Sequence, residues 1–333
     1  SSVTSVGALA FFQCTGFFSS PVVANASLTT VAADAFDECC TQLCRNQTDA
    51  GGACCSGDIV IDPAITSLAD HAFDGCSNLT SVNMSLITSV GTKAFFLCSS
   101  LTSVDVTLVT NMGHQAFDGC SSLITVDMPL VTSVGIKAFR SCSSLTIVNM
   151  SLVASVANNA FQYCSSLTRM DMPLVTSVGN SAFQYCSSLT SVDMPLVTSV
   201  GNSAFHSCSS LISVHMSLVR SVANYAFLSC SSLTSVHMPL VASVGDSAFQ
   251  SGSSLTSFNA PGQLSLPISL TSIGDQAFFQ CSALRGNLVI PSSVTSVGAL
   301  AFFQCTGFFS SPVVANASLT TVAADAFDEC CTQ

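Results

Sequence analysis

The sequence predicts a repeat solenoid, in which short coils of chain stack on one another around a shared core. Two periods lead to this fold class. Between Phe73 and Phe249 a phenylalanine recurs every 22 residues within the motif AFxxCSSLTSVxMPLVTSVGxx. A unit of that size cannot bury its apolar side chains alone, so it must pack against the units before and after it. Over this lies a period of 291 residues, because residues 1–42 and 292–333 are identical.

Each coil is expected to contain two short strands and a turn. The segment LTSVDM at 189–194 mixes β-branched and short polar residues and predicts a strand. Pro195 ends that strand because proline cannot donate to a strand ladder. The next segment, LVTSVG, predicts a second extended piece that Gly201 closes. Ser203–Cys208 is too short for a stable helix and is expected to form a single helical or 3₁₀ turn.

Composition argues against several classes of function. Only 8% of the residues are charged, and 7 basic residues stand against 18 acidic ones. Nucleic acids and anionic membranes both require clustered Lys and Arg, so neither is expected as a partner. No apolar run approaches the roughly 18 residues of a membrane span. The chain also has no nucleophile motif and no phosphate-binding loop, so the sequence predicts neither an enzyme nor a bound cofactor.

The coil motifs closely resemble those of the BspA-like, or type 5, leucine-rich repeats. That family carries AFxxCxxLxxVxxP followed by a VxxIGxxAF-type segment, and AFQYCSSLTSVDMPLVTSVGNSAF at 182–205 has this form. The resemblance implies a right-handed, strand-rich solenoid on a surface-exposed or secreted protein, often linked to adhesion, and it does not imply catalysis. We expect about 12 coils per 291-residue period in one continuous solenoid over 1–333. The chain departs from the family in its 22-residue spacing and in two insertions, a cysteine-rich loop at 40–57 and a shorter one at 259–267.

The cysteines fall into two populations. In the first, each cysteine holds the same place in its coil: Cys14, Cys39, Cys76, Cys98, Cys120, Cys142, Cys164, Cys186, Cys208, Cys230 and Cys281. Side chains in register keep their β-carbons near the strand spacing of about 4.8 Å, whereas a disulfide needs about 3.8 Å. We therefore predict that this column consists of buried thiols.

The second population lies in the insertion TQLCRNQTDAGGACC and consists of Cys40, Cys44, Cys54 and Cys55. Four cysteines in a polar loop favour two disulfides, with Cys40 and Cys44 each bonded to one of Cys54 and Cys55. A Cys₄ zinc site is the alternative, although the loop has no C-x₂-C pair at either end.

Six asparagines begin an N-x-S/T sequon: Asn25, Asn46, Asn78, Asn83, Asn149 and Asn316. Asn83 and Asn149 are the best candidates for N-glycosylation, because they occupy a solvent-facing strand position and serine replaces the usual proline two residues later. Together with the expected disulfides, attached N-glycans predict an extracellular or cell-surface location.

A variable position at the end of the first strand forms a polar row along the stack: Asn83, Asp105, Asp127, Asn149, Asp171, Asp193, His215, His237 and Asn259. Adjacent carboxylates could share a calcium ion, which makes Asp105, Asp127, Asp171 and Asp193 weak candidate ligands. The alternative is a solvated stripe on an exposed face. Two imidazoles without a third ligand make a weak metal site, so no metal site is predicted.

The outer period leads to a functional hypothesis. Solenoids end in capping repeats, whereas this sequence opens on VTSVGALAFF and closes on ADAFDECC, both within ordinary coils. An exposed stack end recruits another copy, so 292–333 is interpreted as the start of the next unit in a tandem or head-to-tail array. We expect the building unit of an extracellular glycosylated fibre whose main partner is itself. The alternatives are a cell-surface adhesin that binds a protein or glycan, and an ice-binding solenoid that uses its threonine rows, which Ile124, Arg169, Ile212 and Arg220 interrupt.

Overall fold

A computed structural model describes residues 5–6, 30–31, 57–61, 65–308, 313–314 and 320–330 of the chain. The chain divides into two compact units. Unit 1 comprises Ser1–Val153 and Ala160–Asp171, and unit 2 comprises Ala154–Asn159 and Met172–Gln333. Each unit is a strand-rich parallel stack of coils, with about 11 turns in the two together. The expectation of one continuous solenoid over 1–333 stays a prediction.

The strands are short, and all 27 follow in chain order. They are β1 Ser5–Val6, β2 Thr30–Val31, β3 Gly57–Val60, β4 Ser67–Leu68, β5 Leu79–Asn83, β6 Ser89–Val90, β7 Ser103–Val104, β8 Asn111–Met112, β9 Thr125–Asp127, β10 Ser133–Val134, β11 Ile147–Asn149, β12 Ser155–Val156, β13 Arg169–Asp171, β14 Ser177–Val178, β15 Ser191–Asp193, β16 Ser199–Val200, β17 Ser213–His215, β18 Ser221–Val222, β19 Ser235–His237, β20 Ser243–Val244, β21 Ser257–Ala260, β22 Gln263–Leu264, β23 Ser272–Ile273, β24 Val289–Ile290, β25 Ser296–Val297, β26 Val313–Val314 and β27 Thr321–Val322. The described residues contain no helix, and therefore none long and apolar enough to cross a membrane.

The strands form two kinds of column, as the motif predicts. In unit 1 the first strands of successive coils pair as β3-β5-β7 and β9-β11-β13, and the second strands pair as β4-β6-β8. In unit 2 the first column is β15-β17-β19-β21, and the second runs from β12 and β14 to β25 and β27. Pairing is parallel and joins equivalent residues, for example Val192 to Val214 and Val214 to Val236. Because the register matches the repeat, every core position forms a row along its stack.

The core of each unit is a set of such rows, of which phenylalanine supplies the largest. From Phe73 to Phe161 in unit 1, neighbouring ring centroids lie 5.0–5.3 Å apart with the rings nearly parallel. From Phe183 to Phe249 in unit 2, the centroids lie 5.1–5.3 Å apart. Offset stacking at this separation is favourable beyond the burial of area alone.

The segment after the second strand forms two tight turns rather than the expected helical or 3₁₀ turn. In one coil Ala94 N donates to Gly91 O at 3.3 Å, and Cys98 N donates to Phe95 O at 3.2 Å. The third residue of each turn has positive φ, +55° at Lys93 and +58° at Leu97, as a type II turn requires. A left-handed residue in each turn prevents a helix from propagating.

The insertion at 259–267 forms a hairpin, in which β21 pairs antiparallel with β22 and a bulge follows Phe258. Pro261 and Gly262 connect the two strands, and Gly262 has φ +69°. The hairpin places an antiparallel edge strand on the first column, whereas the second column continues from β20 through β23 to β25. Of the insertion at 40–57, residues 40–56 lie outside the described residues.

Candidate functional site

Asparagine and aspartate side chains form a ladder along unit 2, one residue after the glycine of each VG pair. Asn158 Oδ1 accepts a hydrogen bond from Asn180 N at 2.8 Å, and Asn180 Oδ1 accepts one from Asn202 N at 2.9 Å. Within the part of unit 2 that the structure describes, the equivalent bond is missing between Asn202 and Asn224. There alanine replaces the glycine, and a β-carbon on the equivalent Gly201 would lie 2.7 Å from Asn180 N. The glycine therefore allows the close approach that the ladder needs.

Threonine hydroxyls form a second kind of ladder. Thr102 Oγ1 donates to Thr80 O at 3.1 Å in unit 1, and Thr198 Oγ1 donates to Thr176 O at 3.3 Å in unit 2. The proton of each hydroxyl is thus used within the stack. The threonine rows that motivated the ice-binding alternative hold successive coils together.

The cysteine column lies in the core, and its thiols donate to phenylalanine carbonyls. Cys98 Sγ donates to Phe73 O at 3.0 Å, and Cys230 Sγ donates to Phe205 O at 3.2 Å. Burial raises the pKa of the Cys230 thiol to about 12, so it stays neutral and is neither a nucleophile nor a metal ligand. The prediction of buried free thiols is confirmed for Cys98, Cys120, Cys142, Cys164, Cys186, Cys208, Cys230 and Cys281.

Cys76 is the exception in this column, because it is disulfide-bonded. The prediction of a free thiol is therefore wrong at this position. Every other described cysteine is free, so the partner of Cys76 lies outside the described residues. The spacing argument applies only between neighbours in the column and places no limit on a cysteine from elsewhere in the chain.

Several sequence predictions fall outside the described residues and stay predictions. They concern the column members Cys14 and Cys39, the loop cysteines Cys40, Cys44, Cys54 and Cys55, and the sequons at Asn25, Asn46 and Asn316.

Unit 1 contains one buried ion pair at the AFxxC turns. Asp118 is 1% exposed, and its Oδ1 accepts from Arg140 Nε at 2.9 Å. Gln115 Nε2 donates to the other carboxylate oxygen at 3.0 Å. Because both carboxylate oxygens are engaged by side chains of the stack, we assign this group a structural role.

The polar row predicted from sequence, called here the polar stripe, lies on the outside of the first strands. Within unit 1, Asn149 is in register with Asp127 on one side and Asp171 on the other. Within unit 2, His215 is in register with Asp193 and His237, and the two imidazole rings stack with centroids 4.8 Å apart. The candidate calcium ligands Asp105, Asp127, Asp171 and Asp193 are all exposed. Among the described residues no three His, Cys, Asp or Glu side chains group so that they could hold a metal ion.

The structure distinguishes the sequons that it describes. Asn78 and Asn83 are exposed, and Asn83 Oδ1 accepts from Ser85 N at 3.3 Å. Asn149 is half-buried, and its Nδ2 donates to Asp127 Oδ1 at 2.8 Å. The nitrogen that would receive a glycan is therefore held at Asn149 and faces solvent at Asn83.

Beside the polar stripe lies a row of exposed leucines, called here the leucine ridge. It comprises Leu86, Leu108, Leu130 and Leu152 in unit 1 and Leu174, Leu196, Leu218 and Leu240 in unit 2, each 38–45% exposed. Each leucine precedes a buried valine in the turn between the two strands; in one such turn Val197 N donates to Met194 O at 3.1 Å. The turn keeps the leucine outside while its neighbours enter the core.

On the second strands of unit 2 there is a shallow groove of about 310 Å³. Small polar side chains line it, among them Ser221, Asn224, Ser243 and Asp246. Asp246 Oδ2 accepts from Asn224 Nδ2 at 3.1 Å, which fixes both side chains.

A comparison with family profiles decides the affiliation. The BspA type leucine rich repeat region matches residues 52–168, 154–265 and 262–332, with six copies. This chain belongs to the BspA-type leucine-rich repeat family. Among curated proteins no sequence matches it.

Solved structures similar to this BspA-type protein include bacterial leucine-rich repeat proteins. One from Bacteroides ovatus is 22% identical with a TM-score of 0.64, over 98% of this chain and 80% of that one. A leucine rich cell surface protein from Faecalibacterium prausnitzii is 23% identical with a TM-score of 0.46, over 93% of this chain and 83% of that one. The first of these likenesses supports the solenoid fold.

Sequence reasoning missed two features of this BspA-type protein. The side-chain ladder at Asn158 and Asn180 was treated as a variable position, although the repeated Gly-Asn-Ser triplets at 179–181 and 201–203 could have indicated it. The leucine ridge was counted with the apolar motif positions, because the sequence does not show that the turn faces this leucine outward.

Proposed function

We propose that this BspA-type repeat protein is the building unit of an extracellular glycosylated filament, formed by end-to-end stacking of solenoid units. The observation that supports the proposal is the uniformity of the contacts between coils. Within each unit one step repeats the last: parallel pairing in register, a stacked phenylalanine and a thiol-to-carbonyl bond. A coil of one chain therefore matches a coil of another as well as it matches its own neighbours, and such a heterologous contact does not close.

An oxidising location is supported by Cys76, because structural disulfides persist outside the cytosol. The exposed sequons at Asn78 and Asn83 are compatible with passage through a compartment that attaches N-glycans. We expect Asn83 to be occupied and Asn149 to be largely bare. Mass spectrometry of tryptic glycopeptides from native material tests this difference directly.

Electron microscopy of the purified protein tests the filament. We expect unbranched filaments that lengthen with protein concentration. A variant with an added C-terminal coil whose outward face is Lys-rich and whose core positions are polar should remain as short particles. The matched control adds a copy of 182–203 instead and should still form filaments. Discrete single chains in the unmodified protein would refute end-to-end stacking.

The adhesin alternative is supported by the polar groove on unit 2. Its lining of hydroxyl, amide and carboxylate groups could hydrogen-bond a glycan or an extended peptide. Ser243→Leu would fill the groove, whereas Ser89→Leu places the same residue at the equivalent strand position of unit 1. On a panel of immobilised glycans and matrix proteins, the adhesin function predicts that only Ser243→Leu loses binding. Equal loss in both variants, or no binding by the unmodified protein, would contradict it.

A further inference from the structure

We propose that two copies of this chain associate side by side in antiparallel fashion, with unit 1 of each copy facing unit 2 of the other. The leucine ridge and the polar stripe together form the contact, and acidic pH strengthens it. This inference is independent of end-to-end stacking, because it uses the flank of the coils.

The leucine ridge supplies the apolar part of the contact. In every coil from Leu86 to Leu240 one leucine stays 38–45% exposed at the same place in the turn. A row of apolar side chains that repeats at each coil is the kind of surface that soluble monomers avoid and interfaces use. A second copy of the chain presents a row with the same spacing, so the leucines of the two rows can interdigitate along their length.

The polar stripe supplies the complementarity that selects the partner. In unit 1 the stripe consists of three carboxylates and two amides: Asp105, Asp127, Asp171, Asn83 and Asn149. In unit 2 its central members are the imidazoles of His215 and His237. Unit 1 therefore repels a second unit 1 and attracts a unit 2 whose histidines are protonated. An arrangement with twofold symmetry satisfies this preference twice, once at each end of the contact.

The stripe side chains lie next to the ridge. Asp105 Oδ1 accepts from Thr107 N at 3.3 Å and from Thr107 Oγ1 at 2.9 Å, and His215 Nε2 lies 2.8 Å from Ser217 Oγ. Each of these bonds joins a stripe residue to the residue two positions on, which immediately precedes a ridge leucine. A partner that covers the ridge therefore also covers the stripe.

The surroundings of the two histidines explain the dependence on pH. His215 has Asp193 on β15 on one side and His237 on β19 on the other, and His237 has Asn259 on β21 beyond it. Imidazoles take up protons between pH 8 and 5, and two adjacent imidazolium groups repel each other. Within the chain Asp193 is the single carboxylate in the unit 2 part of the stripe. The carboxylates Asp105 and Asp127 of a second copy, at the same coil spacing, would face the pair and stabilise both charges.

Sedimentation velocity of the purified protein at pH 5.5 and pH 8.0 tests the proposal. We expect a side-by-side dimer at least about tenfold tighter at pH 5.5, since several exposed charge pairs each contribute a fraction of a tenfold factor. The double variant His215→Asp with His237→Asp should lose this association at both pH values. The control His114→Asn removes an imidazole from a turn of unit 1 and should leave the association unchanged.

A mixing experiment separates charge complementarity from damage to the fold. The double variant Asp105→Lys with Asp127→Lys should associate poorly with itself at pH 8.0. Mixed with the His215→Asp, His237→Asp variant, it should form the dimer again, because lysines now face aspartates. Association that is independent of pH, a monomer at both pH values, or a mixture that stays monomeric would each overturn the proposal. End-to-end filaments would persist in all these variants, so their absence leaves this test intact.

Discussion

Replacing Phe205 by alanine tests whether the stacked phenylalanine row holds the coils together. Phe205 is fully buried in unit 2, with ring centroids 5.2 Å from Phe183 and 5.1 Å from Phe227. Removing a buried phenylalanine costs about 3–5 kcal/mol of unfolding free energy. The loss of two stacked contacts, each about 0.5–1.5 kcal/mol, places the expected cost at the upper end of that range. Because each coil contacts only its neighbours, no distant group can fill the cavity.

Equilibrium unfolding in urea, followed by circular dichroism, measures this cost. The control is Leu218→Ala, which removes a side chain that is already 41% exposed and should cost about 1–2 kcal/mol. We also expect Phe205→Ala to separate the transition into two steps, because a weakened junction uncouples the coils on either side. Equal destabilisation by Phe205→Ala and Leu218→Ala would refute the reasoning.

Three further predictions concern the ladders, the turns and the thiols. Asn180→Ala should lower the unfolding free energy by about 1 kcal/mol, because Asn202 N loses its acceptor, whereas Asn202→Ala should cost little; urea titration distinguishes the two. Ser207→Gly should raise the midpoint of thermal unfolding, because Ser207 has φ +59°, whereas Ser209→Gly, outside the left-handed region, should lower it. The buried thiols should resist iodoacetamide at pH 8 until the chain unfolds. Since burial raises the pKa of Cys230 from 9.0 to about 12, its contribution to stability is full below pH 9 and declines as the pH rises toward 12, which unfolding measured between pH 8 and 11 would show.

The repeat predicted the core of the fold because one periodic pattern specifies both the strand register and the buried rows. Phe205 and Val214 are buried where their place in the motif indicated. The turn geometry was not predictable in the same way. Gly119 has positive φ and is a residue that favours it, but Leu97, one coil earlier, adopts the same conformation without that signal. Tertiary pairing between coils imposes the turn, so local propensity does not reveal it.

The candidate site was predicted in part. The polar stripe followed from alternation along the strand, and the structure places its residues outside in register. Two properties needed coordinates. Asn83 and Asn149 have similar sequons, but a bond to Asp127 distinguishes them. Cys76 occupies a column of free thiols and is nevertheless disulfide-bonded, because its partner comes from outside that column.

Electron cryo-microscopy of the purified protein at pH 8.0 tests the central claim of open-ended stacking most directly. At this pH the side-by-side contact is weak, so the account predicts single, unbranched filaments with a layer spacing of about 4.8 Å along the axis, as parallel strands in register require. Discrete particles of one chain at every concentration, with no such layer spacing between chains, would contradict it.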